Sequence, residues 1–455
     1  MKDKKVLFLI SSELFYRNYV KTGVLEFLAQ NYSELFVLAS KEVSPINHKN
    51  VVRYQIDERN ENRHYQFLRI LGWRYRHRSR SFSFRLFRNS QFKFDFKQSE
   101  KVNTFSETVK ANFASLKRRI KILSAGSLLL FPVVQYLYKK KLKPPKNLIE
   151  IIKQVQPDVV VMPSSAYDPV VMDLINISKI QNIKSILLVD NWDNLSSKSI
   201  LWELPDAVAV WGKQTKQFAL DIQKFKDEQV TCIGSARFDN YFRVRHKELN
   251  SHFEFKYILF LGQSLPSKEI AALKILNAVL GSQEFFDLGL KIVYRPHPWA
   301  MNQGIPDLTK LNAVVLDPQI APKDPLRRDI VSFQPSLEYY PSLLKNAEFV
   351  VSGLTSMLIE ASIFHKNIIA IAHEEPGNYT SPHKLLTECM HFEGIDCLPN
   401  LTISRSKEEL TEYFKKFLAM KHHSSNIQVD SELSHFIMFE GKYNERLRDF
   451  INQYL

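Results

Sequence analysis

Residues 157–190, PDVVVMPSSAYDPVVMDLINISKIQNIKSILLVD, decide the fold. Two short runs of continuous apolar residues, PDVVVMP (157–163) and SILLVD (185–190), flank a segment with helical periodicity from about Pro169 to Gln181. Strands that are apolar on both faces are buried on both faces, as in a parallel sheet that helices cover on either side. The stretch therefore predicts a strand–helix–strand unit of a parallel sheet.

The same alternation of strand and helix extends from this unit in both directions. Strands of the first part of the chain are predicted at KVLFLI (5–10), LFVLAS (35–40), AVAVWG (207–212) and QVTCIG (229–234). After Asn250 the pattern begins again, with strands at KYILFLG (256–262), LKIVYRPHP (290–298), NAVVLD (312–317), AEFVVSG (347–353) and NIIAIAH (367–373). A chain of 455 residues also exceeds what one hydrophobic core holds, so more than one domain is expected.

We therefore predict an α/β protein with two Rossmann-like, doubly wound parallel-sheet domains that face a cleft. The first spans residues 1–245 and the second residues 250–430, and the last residues, 431–455, are expected to cross back onto the first domain. Ligands of such sheets bind beyond the carboxyl ends of the strands, which places them in the cleft between the two domains.

Composition excludes several classes of protein. The chain is 45% hydrophobic and 24% charged, as in a globular protein rather than a disordered one. Its three cysteines, Cys232, Cys389 and Cys397, have no metal-ligand spacing and favour reduced thiols in a cytosolic protein. The apolar run Leu128–Tyr138 is shorter than the roughly 18 residues that cross a bilayer. Neither a metal site nor a membrane span is predicted.

The positive charge of the chain is concentrated in one segment that interrupts the first domain. The whole chain carries +14, but residues 62–146 hold 21 lysines and arginines against three acids, a net of +18. Aromatic residues alternate with these cations. The segment suits a solvated insertion with snorkelling side chains, a surface that docks on anionic lipid, or a nucleic-acid site. We predict lipid docking, and no nucleic acid is expected because no recognition motif accompanies the charge.

The strongest local signal is Tyr294-Arg295-Pro296-His297-Pro298, at the end of a predicted strand of the second domain. Two prolines around a histidine fix the backbone, so the imidazole is presented on a stiff loop. A histidine held there donates to a phosphate oxygen, and Arg295 adds charge-assisted bonds. The alternative is a structural histidine in a proline-rich turn.

The second signal is VSGLTSMLIEA (351–361). A buried strand ends in a turn at Ser352 and Gly353, and a helix is predicted to begin near Thr355 and Ser356. Hydroxyls and free backbone N–H groups at the start of a helix suit a diphosphate. Glu360 lies about a turn further on, where a carboxylate accepts from ribose hydroxyls. The alternative is plain helix capping beside a surface glutamate.

A third loop follows the first strand of the second domain, where a phosphate-facing loop is expected. Its candidate residues are Gly262, Gln263, Ser264 and Lys268. The loop has neither P-loop spacing nor a G-x-G-x-x-G fingerprint, which argues against an ATPase and against a dinucleotide oxidoreductase.

Together, the R-x-H-P loop, the Ser-rich turn with its helix, and the strand NIIAIAH resemble the nucleotide-binding half of GT-B glycosyltransferases. The likeness covers about residues 255–375 and is closest to CDP-glycerol glycerophosphotransferases and capsule-polysaccharide transferases. CMP-sugar (sialyl and Kdo) transferases have a similar His-Pro and Ser/Thr pair. The turn here lacks the aspartate common in the glycerophosphotransferases, and FEGK (439–442) resembles a closing segment of this group. The resemblance implies that the donor nucleotide contacts Arg295, His297, Pro298, Ser352, Gly353, Thr355, Ser356 and Glu360.

Candidate acceptor and catalytic residues follow strands of the first domain. The densest polar cluster is Asp190-Asn191-Trp192-Asp193-Asn194-Leu195-Ser196. Glycosyl transfer needs a carboxylate that takes the acceptor proton or stabilises an oxocarbenium-like centre. The catalytic candidates are Asp190 and Asp193, followed by Glu13 and Asp168. The acceptor candidates are Ser11, Ser12, Asn191 and Asn194. Alternatively, Asp193 or Asn194 only caps a helix.

These observations predict a metal-independent GT-B glycosyltransferase that moves a sugar from a CMP- or UDP-linked donor onto a surface polysaccharide or a lipid-linked glycan. Its expected partners are the nucleotide sugar, the glycan or lipid-linked acceptor and, through residues 62–146, the anionic inner face of the cytoplasmic membrane. No cofactor is expected beside the donor. The alternatives are a glycerophosphotransferase that uses CDP-glycerol, a UDP-N-acetylglucosamine 2-epimerase, and a basic nucleic-acid-binding scaffold, which leaves both phosphate-type loops unexplained.

Overall fold

The computed structural model describes residues 4–86, 125–127, 129–263, 269–297, 306–320, 335–375, 380–420 and 427–455. Within them, seven strands form the first sheet, in the order β3-β2-β1-β4-β5-β6-β7 and all parallel. Its strands are β1 (Lys5–Ile10), β2 (Glu34–Ser40), β3 (Val51–Tyr54), β4 (Val159–Ser164), β5 (Lys184–Val189), β6 (Ala207–Val210) and β7 (Val230–Cys232).

Six strands of the described residues form the second sheet, in the order β10-β9-β8-β11-β12-β13 and again all parallel. They are β8 (Tyr257–Leu261), β9 (Lys291–Arg295), β10 (Val314–Leu316), β11 (Val350–Ser352), β12 (Ile368–Ile371) and β13 (Leu401–Ser404). Each sheet starts in its middle and grows towards one edge and then towards the other, which is the doubly wound order. The predicted pair of Rossmann-like parallel-sheet domains is confirmed.

Helices connect the strands of both sheets. With the first sheet are α1 (Glu13–Phe15), α2 (Val24–Asn31), α3 (Glu58–Tyr75), α4 (Leu130–Lys141), α5 (Lys146–Val155), α6 (Pro169–Ile180), α7 (Lys213–Asp221) and α8 (Ala236–Val244), and two π-helices, Tyr16–Lys21 and Asn194–Lys198. With the second are α9 (Glu269–Leu280), α10 (Tyr339–Asn346), α11 (Met357–Ile363), α12 (Pro382–Glu388), α13 (Lys407–Ala419), α14 (Ile427–Phe436) and α15 (Tyr443–Asn452).

Alternate residues of each strand enter two hydrophobic cores, one on either face of the sheet. In β1, Leu7 and Leu9 belong to one core, while Val6 and Phe8 belong to the other. All four are fully buried, and β8 divides its residues between two cores in the same way. This burial on both faces is the reason why the strands read as continuous apolar runs.

Two segments tie the domains together. Helix α8 follows the last strand of the first sheet, but its Phe238 and Tyr241 pack in a core of the second domain. Helix α14 packs in that core as well, and α15 then lies on the first domain, where Leu447 shares a core with β1. The returning chain passes so close to Gly234 (φ +78°) that a Cβ there would clash with the carbonyl oxygen of Met438.

The start of the basic segment packs as part of the first domain. Asp57 caps α3 by accepting bonds from two backbone N–H groups of its first turn. The buried Phe67 and Leu71 of this helix belong to a core of the first sheet, and buried His64 lies 3.0 Å from Asp173 of α6. Residues 87–124 lie outside the described part. None of the helices that are described combines the length and the apolarity that a bilayer crossing requires.

Candidate functional site

Loops that follow the carboxyl ends of both sheets meet at a seam between the two domains. Arg17, on the π-helix that follows β1, donates from Nε to the backbone oxygen of Pro335 at 3.1 Å. Trp192, after β5, lies edge-on against His391 of the second domain, with 5.1 Å between the ring centroids. Because ligands of doubly wound sheets bind at this edge, the seam is the candidate site.

Gln263 connects two loops of the second domain. Its backbone N–H donates to Glu269 Oε1 at 2.8 Å, and its side-chain Oε1 accepts from the backbone N–H of Leu354 at 3.0 Å. A Cβ on Gly353 would lie 2.8 Å from the same Oε1 atom, so the contact requires glycine at this position. The predicted loop residues Gly353 and Gln263 therefore come together, and the Gln263 oxygen is used within the protein.

His297 lies beside this pair of loops, on the loop after β9. A Cβ on Gly262 would come within 2.9 Å of the His297 backbone nitrogen, which explains the glycine. Burial, together with the charges of Lys198 and Arg295, lowers the pKa of His297 to about 4. The imidazole is therefore neutral at pH 7, with one N–H donor and one acceptor nitrogen.

Arg295 makes its polar contacts inside the second domain. Its Nη1 lies 2.6 Å from Asp317 Oδ2 and donates to the backbone oxygen of Gln319 at 2.7 Å, while Nη2 donates to the Tyr340 hydroxyl at 2.8 Å. The side chains of Arg295 and Asp317 are 6% and 0% exposed. The sequence interpretation of Arg295 as a phosphate ligand is therefore corrected, because its donors hold the end of β9 in place.

The serine-rich turn divides into one buried and two accessible hydroxyls. Ser352 is fully buried and donates to the backbone oxygen of Gly353 at 2.8 Å, so it supports the turn and does not face a ligand. Thr355 and Ser356 are partly exposed. Ser356 is the N-cap of α11 but makes no side-chain capping bond. Side-chain capping of α11 by Ser356 is therefore not observed. The hydroxyls of Thr355 and Ser356 stay candidates for binding the nucleotide.

Glu360 is buried rather than exposed beside a ribose. Its Oε2 accepts from the Tyr241 hydroxyl at 2.9 Å, and its Oε1 lies 3.4 Å from Arg237 Nη2. Both partners belong to α8, and Glu360 is only 3% exposed. The expected ribose contact is therefore corrected: in this structure Glu360 joins the second domain to the connecting helix.

Asp190 is a buried hydrogen-bond acceptor in the first domain. It accepts from Asn18 at 2.6 Å, from the Tyr19 hydroxyl at 3.3 Å and from Ser235 at 3.4 Å. Burial raises the pKa of Asp190 to about 6, although the charge of Arg237 and these bonds act in the opposite direction. With 2% exposure, it organises the loops around it and does not face an acceptor.

Asp193 differs from Asp190 although it lies only three residues further on. Its Oδ1 is 2.7 Å from Lys198 Nζ, and both side chains keep part of their surface, 23% and 22%. Burial alone would raise the pKa of Asp193, but the charge of Lys198 brings it below its usual value. Asp193 is therefore ionised at pH 7 and lies at the seam.

The remaining first-domain candidates have structural contacts. Asp168 caps α6 by accepting from the Val170 N–H and also accepts from Ser11 Oγ at 3.1 Å, and burial raises the pKa of Asp168 to about 6. Glu13 accepts from the Ser44 N–H at 2.6 Å. Ser12 is the N-cap of α1 and makes no side-chain capping bond.

The two asparagines of the predicted acceptor set belong to the loop after β5. The backbone oxygen of Asn191 accepts from the Asn194 N–H at 3.1 Å. Asn194 is 1% exposed and donates through Nδ2 to the Ser164 backbone oxygen at 3.0 Å, so it joins the ends of β4 and β5. Ser264, Lys268 and Pro298 lie outside the described residues. Among the described residues, no group of three His, Cys, Asp or Glu side chains suits a metal ion.

Comparison with known proteins identifies the architecture. No protein-family model matches the chain, and no curated protein matches it by sequence. A structure described as a UDP-N-acetylglucosamine 2-epimerase from Listeria monocytogenes is 11% identical, with a TM-score of 0.52, over 99% of this chain and 96% of that one. A glycosyltransferase from Rickettsia africae is also 11% identical, with a TM-score of 0.50, over 100% and 98%. The chain has the GT-B fold.

Four residues of this GT-B seam were missed by sequence reasoning: Lys198, Glu269, Gln214 and His391. Glu269 accepts from the Tyr294 hydroxyl at 2.6 Å as well as from Gln263. Gln214 accepts from Trp192 Nε1 at 2.7 Å and donates to the Glu393 backbone oxygen at 2.9 Å, across the two domains. Of these four, only Lys198 had a signal in the sequence, because it is a cation two residues after the polar cluster 190–196.

Proposed function

We propose that this GT-B chain transfers a sugar from a CMP- or UDP-linked donor to a surface polysaccharide or a lipid-linked glycan. The observation that carries the proposal is the seam itself. On the first domain the ionised Asp193 pairs with Lys198, whose charge acts on the neutral His297 of the second domain. The Thr355–Ser356 turn follows Gly353, which packs against the loop at Gln263. A carboxylate on one side and phosphate-type donors on the other are what group transfer from a nucleotide needs.

Around the nucleotide, the second domain supplies uncharged hydrogen-bond donors rather than cationic side chains. His297 donates its N–H to a phosphate oxygen, and the hydroxyls of Thr355 and Ser356 donate to neighbouring oxygens. The absence of side chains at Gly262 and Gly353 lets these loops approach each other and the nucleotide closely.

On the acceptor side, Asp193 acts as the general base. The acceptor hydroxyl gives its proton to Asp193 while its oxygen bonds the anomeric carbon. The nucleotide leaves through its phosphate oxygen with the electrons of the broken bond. Because Asp193 is ionised at neutral pH, it accepts a proton without first losing one. All these steps use residues of the chain, with the nucleotide as substrate.

A membrane surface is the proposed place of reaction, on the cytoplasmic side. Helix α4 and its N-cap residue together bear five exposed apolar side chains, between 49% and 87% exposed, and the helix has a basic last turn, Lys139–Lys141. The five are Leu129, Leu130, Val133, Tyr136 and Leu137. Helical spacing puts them on one face, and such a face with a basic end suits the boundary between acyl chains and anionic headgroups.

Vesicle sedimentation tests this surface. Leu130→Ser with Leu137→Ser should weaken binding to vesicles that contain anionic lipid. Ile180→Ser is the matched control, since Ile180 is 74% exposed on another helix. Equal binding of all three proteins would exclude α4 as the contact.

The chief alternative is a sugar-nucleotide 2-epimerase, the activity in the description of the Listeria neighbour. An epimerase acts on the nucleotide sugar alone and has no use for an acceptor at a membrane, so the exposed face of α4 favours transfer.

Product analysis distinguishes the two functions. We expect CMP, CDP or UDP to raise the melting temperature, because a ligand that binds only the folded state stabilises it. With the matching sugar nucleotide and a membrane extract, we expect free nucleotide together with glycosylated acceptor. Conversion to an epimeric sugar nucleotide without acceptor would refute transfer, and no melting shift with any of the three nucleotides would refute the donor site.

A further inference from the structure

The π-helix Asn194–Lys198 ends in a lysine that faces the other domain. Lys198 forms an ion pair with Asp193, and its side chain remains 22% exposed. The Ser79 hydroxyl donates to the backbone oxygen of Ser196 and so holds the middle of the segment. π-Helical turns are rare and concentrate at functional sites, and this one follows the carboxyl end of β5, the edge at which ligands of such sheets bind.

Contacts across the seam fix where this lysine lies. Trp192 packs edge-on against both His391 and Phe392 of the second domain, with centroid distances of 5.1 and 5.4 Å. Gln214 accepts from the Trp192 indole and donates to the backbone oxygens of His391 and Glu393. The segment that carries Lys198 is therefore fastened to the second domain and does not lie on an outer surface.

Both second-domain histidines of the seam are within reach of the Lys198 charge. Burial lowers the pKa of both His297 and His391, and the charge of Lys198 lowers both further. His391 is 7% exposed, and its Nδ1 atom is buried without a hydrogen-bond partner in the described part of the protein. Lys198 carries three N–H donors, the unpartnered Nδ1 of His391 is able to donate as well, and Asp193 is the carboxylate that pairs with the lysine in the described part of the chain. A phosphate group supplies further acceptor oxygens for these donors.

We infer that Lys198 binds a phosphate of the nucleotide donor from the first domain, opposite His297 of the second. The inference rests on the proposed function for the identity of the ligand, and it adds a cation that the donor loops of the second domain do not supply. On this inference, binding of the nucleotide also changes the basicity of Asp193. As the ammonium turns towards the phosphate, Asp193 loses part of its ion pair and becomes a stronger base.

The experiment compares nucleotide with nucleoside. The probes are CMP, CDP and UDP, with cytidine and uridine, measured by calorimetric titration of the full chain. Lys198→Met should lower the affinity for the nucleotide that the wild type binds by about 10- to 100-fold, which is what the loss of a charged hydrogen bond costs. Nucleoside affinity should stay unchanged. Lys198→Arg should keep most of the nucleotide affinity, and it serves as the readout if the methionine variant does not fold.

A matched control separates this role from general electrostatics. Lys216 forms a comparable ion pair with Asp227 at 2.8 Å, and Asp227 is 72% exposed. Lys216→Met should leave both affinities as in the wild type. If Lys198→Met keeps the wild-type ratio of nucleotide to nucleoside affinity, or weakens both ligands equally, the inference falls while the proposed function stands. If the wild type binds none of the three nucleotides, the proposed function and the inference fall together.

Discussion

The loop after β5 and the motif loops of the second domain both contain charged residues that suit a nucleotide-dependent enzyme, but these charges have different partners. Arg295 pairs with Asp317, and Glu360 lies beside Arg237; the side chains of Arg295, Asp317 and Glu360 are at most 6% exposed. The Asp193–Lys198 pair keeps more than a fifth of each side chain exposed and lies at the seam. A charge that is buried with its partner holds the fold, whereas a partly exposed pair between domains is available to a ligand.

The same contrast exists within the loop after β5. Asp190 is enclosed by three neutral donors, and burial raises its pKa to about 6. Asp193 has an ammonium partner, and its pKa is lowered. Two carboxylates three residues apart therefore have different tasks, because the first turns into the domain and the second faces the seam.

The largest expected effect comes from separating these two carboxylates. Asp193→Asn should lower turnover by about 10² to 10⁴, the usual contribution of a positioned acid or base, without weakening the binding of the nucleotide. Asp190→Asn should destabilise the fold by about 1–3 kcal/mol, because an amide nitrogen then faces groups that donate. The Asp190 variant that does fold should turn over nearly as fast as the wild type.

To decide which carboxylate is the base, we would measure the melting temperature, the nucleotide affinity and the turnover of both variants. If Asp193→Asn retains near-normal turnover while Asp190→Asn is folded and inactive, the roles of the two residues are reversed. If both remain active, the base lies elsewhere, and Asp168 and Glu13 are the next candidates.

Sequence pattern predicted the sheets well because strands buried on both faces leave a local signal. Eleven apolar runs correspond to the strands at the centre of each sheet and to some of its edge strands. The edge strands Val51–Tyr54 and Leu401–Ser404 were missed. VVRY and LTIS are only four residues long, and each contains polar side chains, since an edge strand is covered on fewer sides.

The site was harder to predict, because residue type does not reveal hydrogen-bond partners. The motifs drew attention to Arg295 and Glu360, but their partners Asp317 and Tyr241 lie 22 and 119 positions away in the chain. Only the folded structure shows that these groups are already engaged. His297 and Gly353 do lie on the loops after β9 and β11 that the sequence predicted, because a stiff loop and a tight turn are local properties; their contact with a nucleotide stays a prediction.

The next effect, of intermediate size, concerns pH. Burial lowers the pKa of His391 to about 4; Asp193 raises it, while Lys198 and Arg85 lower it. Above about pH 6.5 the imidazole is neutral in both the folded and the unfolded chain. As the pH falls towards 4, the unfolded chain takes up a proton that the folded chain does not, so stability is lost. The loss should approach about 3 kcal/mol.

Comparison with His391→Gln isolates this contribution, since Asp190, Asp168 and His297 also titrate in the same range. The difference in unfolding free energy between wild type and variant should shrink or reverse between pH 7 and pH 4. Denaturant titrations at several pH values measure it. A difference that stays constant with pH would show that His391 is not held neutral at the seam.

The smallest expected effect on ligand binding is that of Glu360→Gln, and it tests the comparison most directly. If Glu360 joins α8 to the second domain, the amide keeps an acceptor for the Tyr241 hydroxyl but loses the charge beside Arg237. Stability should then fall by about 1–3 kcal/mol. Nucleotide affinity, measured by calorimetry well below the melting temperature, should change less than about twofold, because this carboxylate is turned away from the ligand.

A ribose contact would give the opposite result. A carboxylate that accepts from ribose hydroxyls contributes about 1.5–3 kcal/mol to binding, so its loss should weaken the binding of CMP or UDP by at least about tenfold. The 2′-deoxynucleotide provides the internal control. If wild type and variant lose the same factor on removal of the 2′-hydroxyl, that hydroxyl is not read by Glu360, and the buried charges of the second domain serve the fold while the seam pair serves the ligand.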